Sequence, residues 1–132
     1  MQVEVFSLCD AATVQGGKLN MLGAFDTIVA GTMPAVHPQC AVAVRIRFNA
    51  LEGEKHGVSV KVIDADGAAL IPAAEGTIAL NFPKGQRSCS ANLVLNVQGL
   101  KLQRYGEYSI DLAVDGKAMA SAPLFILERK IT

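Results

Sequence analysis

The three cysteines and two histidines are the side chains in this sequence that most readily suggest catalysis. Cys9, its neighbour Asp10 and either His37 or His56 could supply a thiol nucleophile, an orienting carboxylate and a base. Such a nucleophile needs a lowered pKa and a base within hydrogen-bond reach. Cys9 falls inside a predicted strand and His37 in a predicted loop, and nothing in the sequence brings them together. We therefore predict a buried thiol, surface or loop histidines, and no catalytic residue.

Metal and cofactor sites are not predicted either. A zinc site needs three or four ligands, and the chain has no Cys-x-x-Cys or His-x-His pair. The run Asp64-Ala65-Asp66-Gly67 resembles the start of a calcium loop but lacks the later acidic residues and the flanking helices of that motif, so we predict a hairpin turn. The chain also lacks the Gly-x-Gly-x-x-Gly, Gly-Lys-Ser/Thr and Gly-x-Ser-x-Gly motifs.

The overall charge argues against a nucleic-acid or membrane partner. Twelve basic and twelve acidic residues cancel in a chain of 132 residues, of which 51% are hydrophobic. Arg45, Arg47, Lys61 and Arg87 form the best basic set, but only two of them share a predicted strand, and few aromatic residues could stack on bases. We predict one domain over residues 1–132, with an apolar core.

The N-terminal residues and the cysteines predict a cytoplasmic protein. Glu4 and Asp10 interrupt the first apolar run, unlike a secretory leader. No window reaches the roughly 18 apolar residues that a membrane helix needs. Cys9, Cys40 and Cys89 are odd in number and lack paired spacing, so we expect free thiols in a reducing compartment.

Strand patterns dominate the chain. Residues 40–48 alternate, with Val42, Val44, Ile46 and Phe48 on one face and Ala41, Ala43, Arg45 and Arg47 on the other. This period of two is typical of a half-buried strand. The same alternation recurs in residues 58–62, 78–82, 90–97 and 108–114. The predicted central core consists of Val42, Val44, Ile46, Phe48, Val60, Leu93, Leu95, Ile110 and Leu112.

Two hairpins are well specified. Gly16-Gly17 and Asp115-Gly116 each separate two apolar runs and favour two-residue type I′ turns. The first hairpin is predicted to pair residues 3–14 with residues 18–29.

Prolines and strand number complete the fold prediction. Pro34 and Pro38 indicate a loop, whereas Pro123 indicates a bulge or break on an edge strand. Eight or nine strands without a helical period predict an all-β, two-sheet antiparallel sandwich, immunoglobulin-like rather than a closed barrel. The chain has no Trp, so the antibody Cys-Trp-Cys signature is absent. Tyr108, at the start of an alternating run, resembles the tyrosine at the start of strand F.

Several blocks resemble a bacterial family of small immunoglobulin-like proteins of unknown function. These blocks are residues 9–12, 17–28, 34–38, 56–67 and 105–125. The resemblance covers nearly the whole chain, and its opening block is the most specific part. It implies a stand-alone β-sandwich and supplies no activity, ligand or catalytic residue.

The leading functional prediction is a non-catalytic interaction or structural module. Apolar residues lie on both faces of the first and last strands, and an outward Leu124 and Ile126 would leave an exposed stripe. We therefore predict a homo-oligomer formed through the terminal strands. An interface at Arg45 and Arg47 is an open alternative. So is a small-molecule site at the loop end around Asp26–His37; an enzyme with an unrecognised site is a third possibility.

Overall fold

A computed structural model describes residues 1–130, which form nine strands and one 3₁₀ turn in two packed sheets. The strands are β1 (Gln2–Gln15), β2 (Lys18–Ala24), β3 (Thr27–Ala30), β4 (Ala35–Asn49), β5 (Lys55–Ile63), β6 (Ala74–Ala79), β7 (Ser88–Leu102), β8 (Gly106–Val114) and β9 (Lys117–Glu128). The 3₁₀ turn covers Ala50–Glu52. The predicted all-β sandwich is confirmed. Within residues 1–130, no helix is long and apolar enough to cross a bilayer.

The two sheets have strand orders β2-β1-β4-β7 and β3-β9-β8-β5-β6. Every pairing is antiparallel except that of β3 with β9, which is parallel. The parallel pairing of β3 with β9 departs from the predicted fully antiparallel arrangement. It arises because β2 and β3, expected as one strand over residues 18–29, belong to different sheets.

The chain changes sheets at Phe25 and Asp26. The Phe25 N–H donates to the Leu8 carbonyl in the first sheet at 2.9 Å, and the Asp26 carbonyl accepts from the Phe125 N–H in the second at 2.7 Å. Continuous backbone therefore closes this side of the sandwich. The opposite side is formed by the edge strands β6 and β7.

Both predicted hairpin turns are present with the expected backbone. Gly16 and Gly17 have φ of 58° and 73°, and Asp115 and Gly116 have φ of 52° and 78°. Two successive positive φ values are the requirement of a type I′ turn.

The alternating residues build the core as predicted, except that two of the predicted core residues are only partly buried. Val42, Val44, Ile46 and Phe48 are at most 1% exposed, and Val60, Ile110 and Leu112 are also buried. Leu93 and Leu95 pack against this core but are only half-buried. They lie on β7, which has no neighbouring strand on one side in the part of the chain that the structure describes.

Beyond Cys9, the first hairpin separates from β4 and folds over the outer face of the first sheet. β1 pairs with β4 as far as Cys9 and with β2 from Cys9 onward. At the hairpin tip, the Gly17 carbonyl accepts a 3.0 Å hydrogen bond from Asn92 Nδ2 on β7. We call residues 11–23 the arm. Beside it, Cys9, Ala41 and Ala43 are fully buried on the outer side of the sheet.

Pro38 lies within β4, so the predicted loop over residues 34–38 is wrong at this position. The ladder with β7 pairs His37 with Leu100 and Gln39 with Gln98, leaving Pro38 opposite Gly99 without a pair. Gly99 has φ of 63°. A proline that cannot donate is tolerated here because the ladder skips its position.

A β-bulge in β9 sets which side chains of that strand face the core. Leu112 pairs with Ala120 and Ala113 with Ala118, so Met119 is an extra residue. The bulge shifts the alternation, and from Ala120 onward the even-numbered residues point inward. The bulge is therefore at Met119, not at the predicted Pro123.

Tyr108 lies at the start of β8, as its resemblance to the strand F tyrosine implies. Its hydroxyl donates to the Arg104 carbonyl at 2.6 Å, and the residue is 5% exposed. This is the tyrosine corner of immunoglobulin-like sandwiches.

Candidate interaction surface

Cys9 is not placed as a nucleophile. Its Sγ lies 3.5 Å from the Ala41 carbonyl oxygen, and the side chain is fully buried beside the arm. Burial raises the pKa of the Cys9 thiol, with a smaller contribution from the carboxylate of Asp10. A raised pKa disfavours the thiolate, which is the reactive form. The Cys9 side chain therefore serves as a buried packing residue.

Buried His56 pairs with the exposed carboxylate of Asp115 at the β8–β9 turn. His56 Nδ1 lies 2.7 Å from Asp115 Oδ2, and Nε2 lies 3.1 Å from the Gly53 carbonyl oxygen. Both partners are acceptors, so only the doubly protonated ring can donate to both. The His56 ring also stacks on Phe48 at 4.3 Å and is 5% exposed. Both ring nitrogens of His56 have partners within the fold, so this pair fastens the turn.

The same turn carries a second bond to the Asp115 carboxylate. The Gly57 N–H donates to Asp115 Oδ1 at 2.8 Å. The hydrogen bond from His56, followed by that from Gly57, holds the pKa of Asp115 below its usual range.

The Asp64–Gly67 segment is a closed turn, as predicted. Asp64 Oδ1 accepts the N–H groups of Asp66 and Ala68, both at 2.9 Å. Arg104 lies 3.4 Å from the other Asp64 oxygen. The bond from Ala68 is the main cause of a lowered Asp64 pKa. Both oxygens of the Asp64 carboxylate thus accept hydrogen bonds from groups of the same chain.

The loop end around Asp26–His37 contains one polar atom without a partner. The Phe25 and His37 rings lie 5.7 Å apart, and His37 Nε2 is buried with no hydrogen-bond partner among the described residues. Asp26 accepts the Thr27 hydroxyl at 2.7 Å. A surface cavity of about 310 Å³ is lined by Ser7, Ala24, Phe25 and Asp26.

Arg45 and Arg47 point outward, as predicted, and are bound by acceptors of the same sheet. Their Nε atoms donate to the two carboxylate oxygens of Glu4 at 2.9 and 3.0 Å. Their Nη1 atoms donate to Asn92 Oδ1 at 3.0 Å and Ser88 Oγ at 3.1 Å. The bond from Arg47 contributes most to lowering the Glu4 pKa. This face is a hydrogen-bonded network in which part of the positive charge is neutralised.

The terminal strands do not present the stripe that the sequence suggested. Leu124 and Ile126 are fully buried in the core of their own chain, because the bulge in β9 turns them inward. Phe125 and Leu127 occupy the outer face instead. Leu127 is 50% exposed and Val29, its partner on β3, is 49% exposed.

Each terminal strand has a neighbour on both sides, so neither has an edge that is free from end to end. β1 lies between β2 and β4, and β9 lies between β8 and β3. β3 covers β9 only from Phe125 to Glu128. Pro123 pairs with Ser109 on the other side and lies where β9 is locally an edge, as its missing donor requires.

At the open side between β6 and β7, Leu93 and Leu95 of the core are only half-buried. A cavity of about 150 Å³ lies between the two sheets at this side. Its lining is mostly apolar and consists of Val44, Val58, Val60, Ala74, Glu75, Gly76, Leu93, Val94 and Leu95. A shallower depression of about 370 Å³ lies between residues 77–81 and 89–93. We call this combined groove the β6–β7 slot.

β7 itself is a long edge strand without the usual protection. It pairs with β4 in one constant register, and no other strand among residues 1–130 pairs with its other side. Residues 88–98 contain no charged residue and no proline. Natural edge strands are usually short, bulged, or protected by charge or proline. The strand therefore presents unpaired backbone groups beside an apolar slot.

Sequence analysis missed this surface although one signal was present. The alternating run over residues 90–97 was recognised as a strand, but its place at an edge depends on sheet order. The absence of charge over residues 88–98 could have marked it.

Two packed sheets and a tyrosine corner are the features of an immunoglobulin-like β-sandwich domain. Residues 4–127 match the family of unknown function DUF6941, and the chain belongs to that family. This agrees with the resemblance to a family of small proteins of unknown function. The comparison with curated proteins gave no match.

Solved structures with a similar fold are parts of much larger proteins. A β-glucosidase from Listeria innocua in complex with isofagomine is 13% identical with a TM-score of 0.51, over 98% of this chain and 17% of that one. The alkylpurine DNA glycosylase AlkC of Pseudomonas fluorescens bound to DNA is 9% identical with a TM-score of 0.49, over 96% of this chain and 30% of that one. The chain spans less than a third of either protein. At such identities the likeness concerns the fold alone.

Proposed function

We propose that this domain is a non-catalytic protein-interaction module that binds an extended segment along the free edge of β7. The observation that carries the proposal is the β6–β7 slot, where the uncharged residues 88–98 of an edge strand border a mostly apolar cavity between the sheets. An added strand would pair with the unpaired backbone of β7 and direct alternate side chains into the slot.

The composition of the slot defines the chemistry of the bound segment. Leu93 and Leu95 are half-buried and face the slot. Opposite them, Gly76 leaves open space where a Cβ would stand. A segment with aliphatic residues at every second position would fill that space and complete the burial of both leucines.

The test uses a synthetic ten-residue peptide that alternates Val or Ile with Thr or Ser. We expect it to slow amide hydrogen exchange along β7 and to shift the NMR signals of Leu93 and Leu95. A peptide of the same composition, scrambled to break the alternation, is the matched control. Equal binding of both peptides, or protection elsewhere than β7, would contradict the proposal.

Leu95→Lys supplies a matched protein variant. Leu95 is half-buried at the slot, so an ammonium group there would point into the space of an incoming aliphatic side chain. We expect the alternating peptide to lose most of its binding to this variant. Leu127→Lys, on the outer face of β9, should bind the peptide as the unmodified chain does.

A homo-oligomer formed through the terminal strands is a second proposal. Its contact would lie on the outer face of β3 and β9 and would not involve Leu124 and Ile126, which are buried. The observation in its favour is the apolar patch of Val29, Phe125 and Leu127 on the outer face of β3 and β9. Val29→Lys should then lower the mass measured by light scattering. An unchanged mass in this variant would exclude the patch as the contact.

A small-molecule site at the loop end is the alternative proposal. The unpartnered His37 Nε2 favours it, since a ligand with a complementary polar group could bind that atom. A thermal-shift screen should then find a compound whose stabilising effect is lost in His37→Phe. Stabilisation that persists in that variant would place the compound elsewhere.

The bacterial cytoplasm is the compartment that we propose. Cys9, Cys40 and Cys89 are free thiols in the structure, which suits a reducing environment.

A further inference from the structure

Polar and apolar residues of β7 are arranged symmetrically about Val94. Read in either direction from this residue, the strand gives leucine, asparagine, an apolar residue and then a polar residue. The positions concerned are Ser90, Ala91, Asn92, Leu93, Val94, Leu95, Asn96, Val97 and Gln98. Antiparallel pairing of a strand with its own copy is favoured when polar positions meet polar ones and apolar positions meet apolar ones. This segment meets that condition.

We infer that the extended segment bound at the edge of β7 is β7 of a second copy of this chain, antiparallel to it about a two-fold axis at Val94. The inference rests on the proposed function, since it names the partner for the same edge. The first sheets of the two copies then join into one eight-stranded sheet, with β7 beside β7 at its centre.

The side-chain pairs across the axis are compatible on both faces. On the inner face, Leu93 would lie opposite Leu95 of the partner subunit, and the two slots would cover each other's half-buried leucines. On the outer face, Asn92 would lie opposite Asn96 of the partner subunit. Asn92 already accepts from Arg45 and donates to Gly17. Its amide keeps one hydrogen and one lone pair for a further bond.

The other edge strands are less suited to this pairing. β6 has six residues and contains Glu75. β3 has four residues. β2 has seven, begins with Lys18 and contains Gly23 at φ of 69°. β7 offers fifteen residues, of which 88–98 are uncharged.

A cysteine at the axis tests the geometry directly. Directly opposed antiparallel residues have Cα atoms about 4.5–5.5 Å apart, which fits a disulfide. In a Cys89→Ser background, we expect Val94→Cys to form covalent dimers rapidly under mild oxidation at micromolar protein. Cys9 and Cys40 are at most 1% exposed and should not contribute. Leu127→Cys in the same background is the control for random collision and for the β3–β9 patch, and should cross-link far more slowly.

Opposite charges at the axis test the pairing without oxidation. Val94→Lys and Val94→Glu would each place like charges against each other, so each variant alone should be monomeric by light scattering. An equimolar mixture should recover the dimer mass, which a variant that merely failed to fold could not do. A mixture that stays monomeric would overturn the inference.

The outcomes separate this inference from the proposed function. A monomeric wild-type chain whose β7 amides are still protected by the alternating peptide would overturn the second-copy partner and leave the proposed function standing. Equal cross-linking of Val94→Cys and Leu127→Cys would also overturn it. If neither a dimer nor the peptide occupies the edge, both conclusions are wrong.

Discussion

Truncating Leu124 and Leu127 separately to alanine tests the orientation of β9. The two residues lie on one strand and undergo the same chemical change, but Leu124 is fully buried and Leu127 is 50% exposed. Removing a fully buried leucine side chain costs about 2–5 kcal/mol, through lost burial and the cavity that remains. A half-exposed side chain away from special features usually changes stability by less than about 0.5 kcal/mol.

The difference converts into a large gap in melting temperature. An unfolding entropy of about 2.1 cal/mol/K per residue gives about 0.28 kcal/mol/K for a chain of 132 residues. Leu124→Ala should therefore lower Tm by roughly 7–18 °C, and Leu127→Ala by roughly 2 °C or less.

Calorimetry on both variants at two protein concentrations is the appropriate measurement. Concentration dependence would show whether Leu127 also contributes to self-association. A larger loss for Leu127→Ala than for Leu124→Ala would refute the assignment of the inner face and, with it, the bulge at Met119.

Three further predictions concern hydrogen bonds, acid and thiols. Tyr108→Phe should cost about 0.5–1.5 kcal/mol by loss of the corner hydrogen bond, measured by urea denaturation; no loss would mean that the 2.6 Å bond contributes nothing. Because the pKa of Asp115 is depressed in the folded state, its stabilisation is fully present above about pH 4 and is lost as the pH falls through the folded pKa. Asp115→Asn should flatten the acid limb of a stability–pH curve, and an unchanged limb would argue against a role for the His56 bond. Burial raises the pKa of Cys40 to about 11, so a thiol reagent at pH 8 should modify half-buried Cys89 first, and Cys89→Ser should abolish the fast phase.

Much of the core was predictable because period-two alternation and turn chemistry are local. Val42 to Phe48 alternate without interruption, and the Gly16-Gly17 and Asp115-Gly116 turns require positive φ, which few other residue pairs supply. The position of Tyr108 at the start of a strand is also a local feature, because the Arg104 carbonyl that accepts from its hydroxyl lies only four residues away.

Features that depend on sheet order could not be read from local patterns. The change of sheet at Phe25 and Asp26 occurs inside a run that reads as one strand. Pro38 is tolerated in β4 because the ladder with β7 skips its position. The bulge at Met119 reverses the faces of Leu124 and Ile126 without any glycine or proline to mark it.

The candidate surface was missed for a related reason. The predicted oligomer contact assumed that the strands at the two ends of the sequence are also the edges of the sheets. In the structure, β1 and β9 pair with a neighbour on each side over only part of their length, whereas β7 has a neighbour on one side only among the described residues. Edge position is a property of topology, and hydrophobic pattern alone does not specify it.

The parallel pairing of β3 with β9 has a consequence for how the chain reaches its fold. Thr27 pairs with Phe125, about a hundred residues further along the chain, so the loop that closes this ladder spans most of the domain. During synthesis, β3 emerges early and must wait for β9 to be made, while the β1–β2 hairpin can form at once from neighbouring residues. Contacts of such long sequence separation place the domain among the slower two-state folders, in the range of milliseconds to seconds. Until β9 arrives, the inner side of Ile28 has no core to pack against, and a nascent chain would expose it.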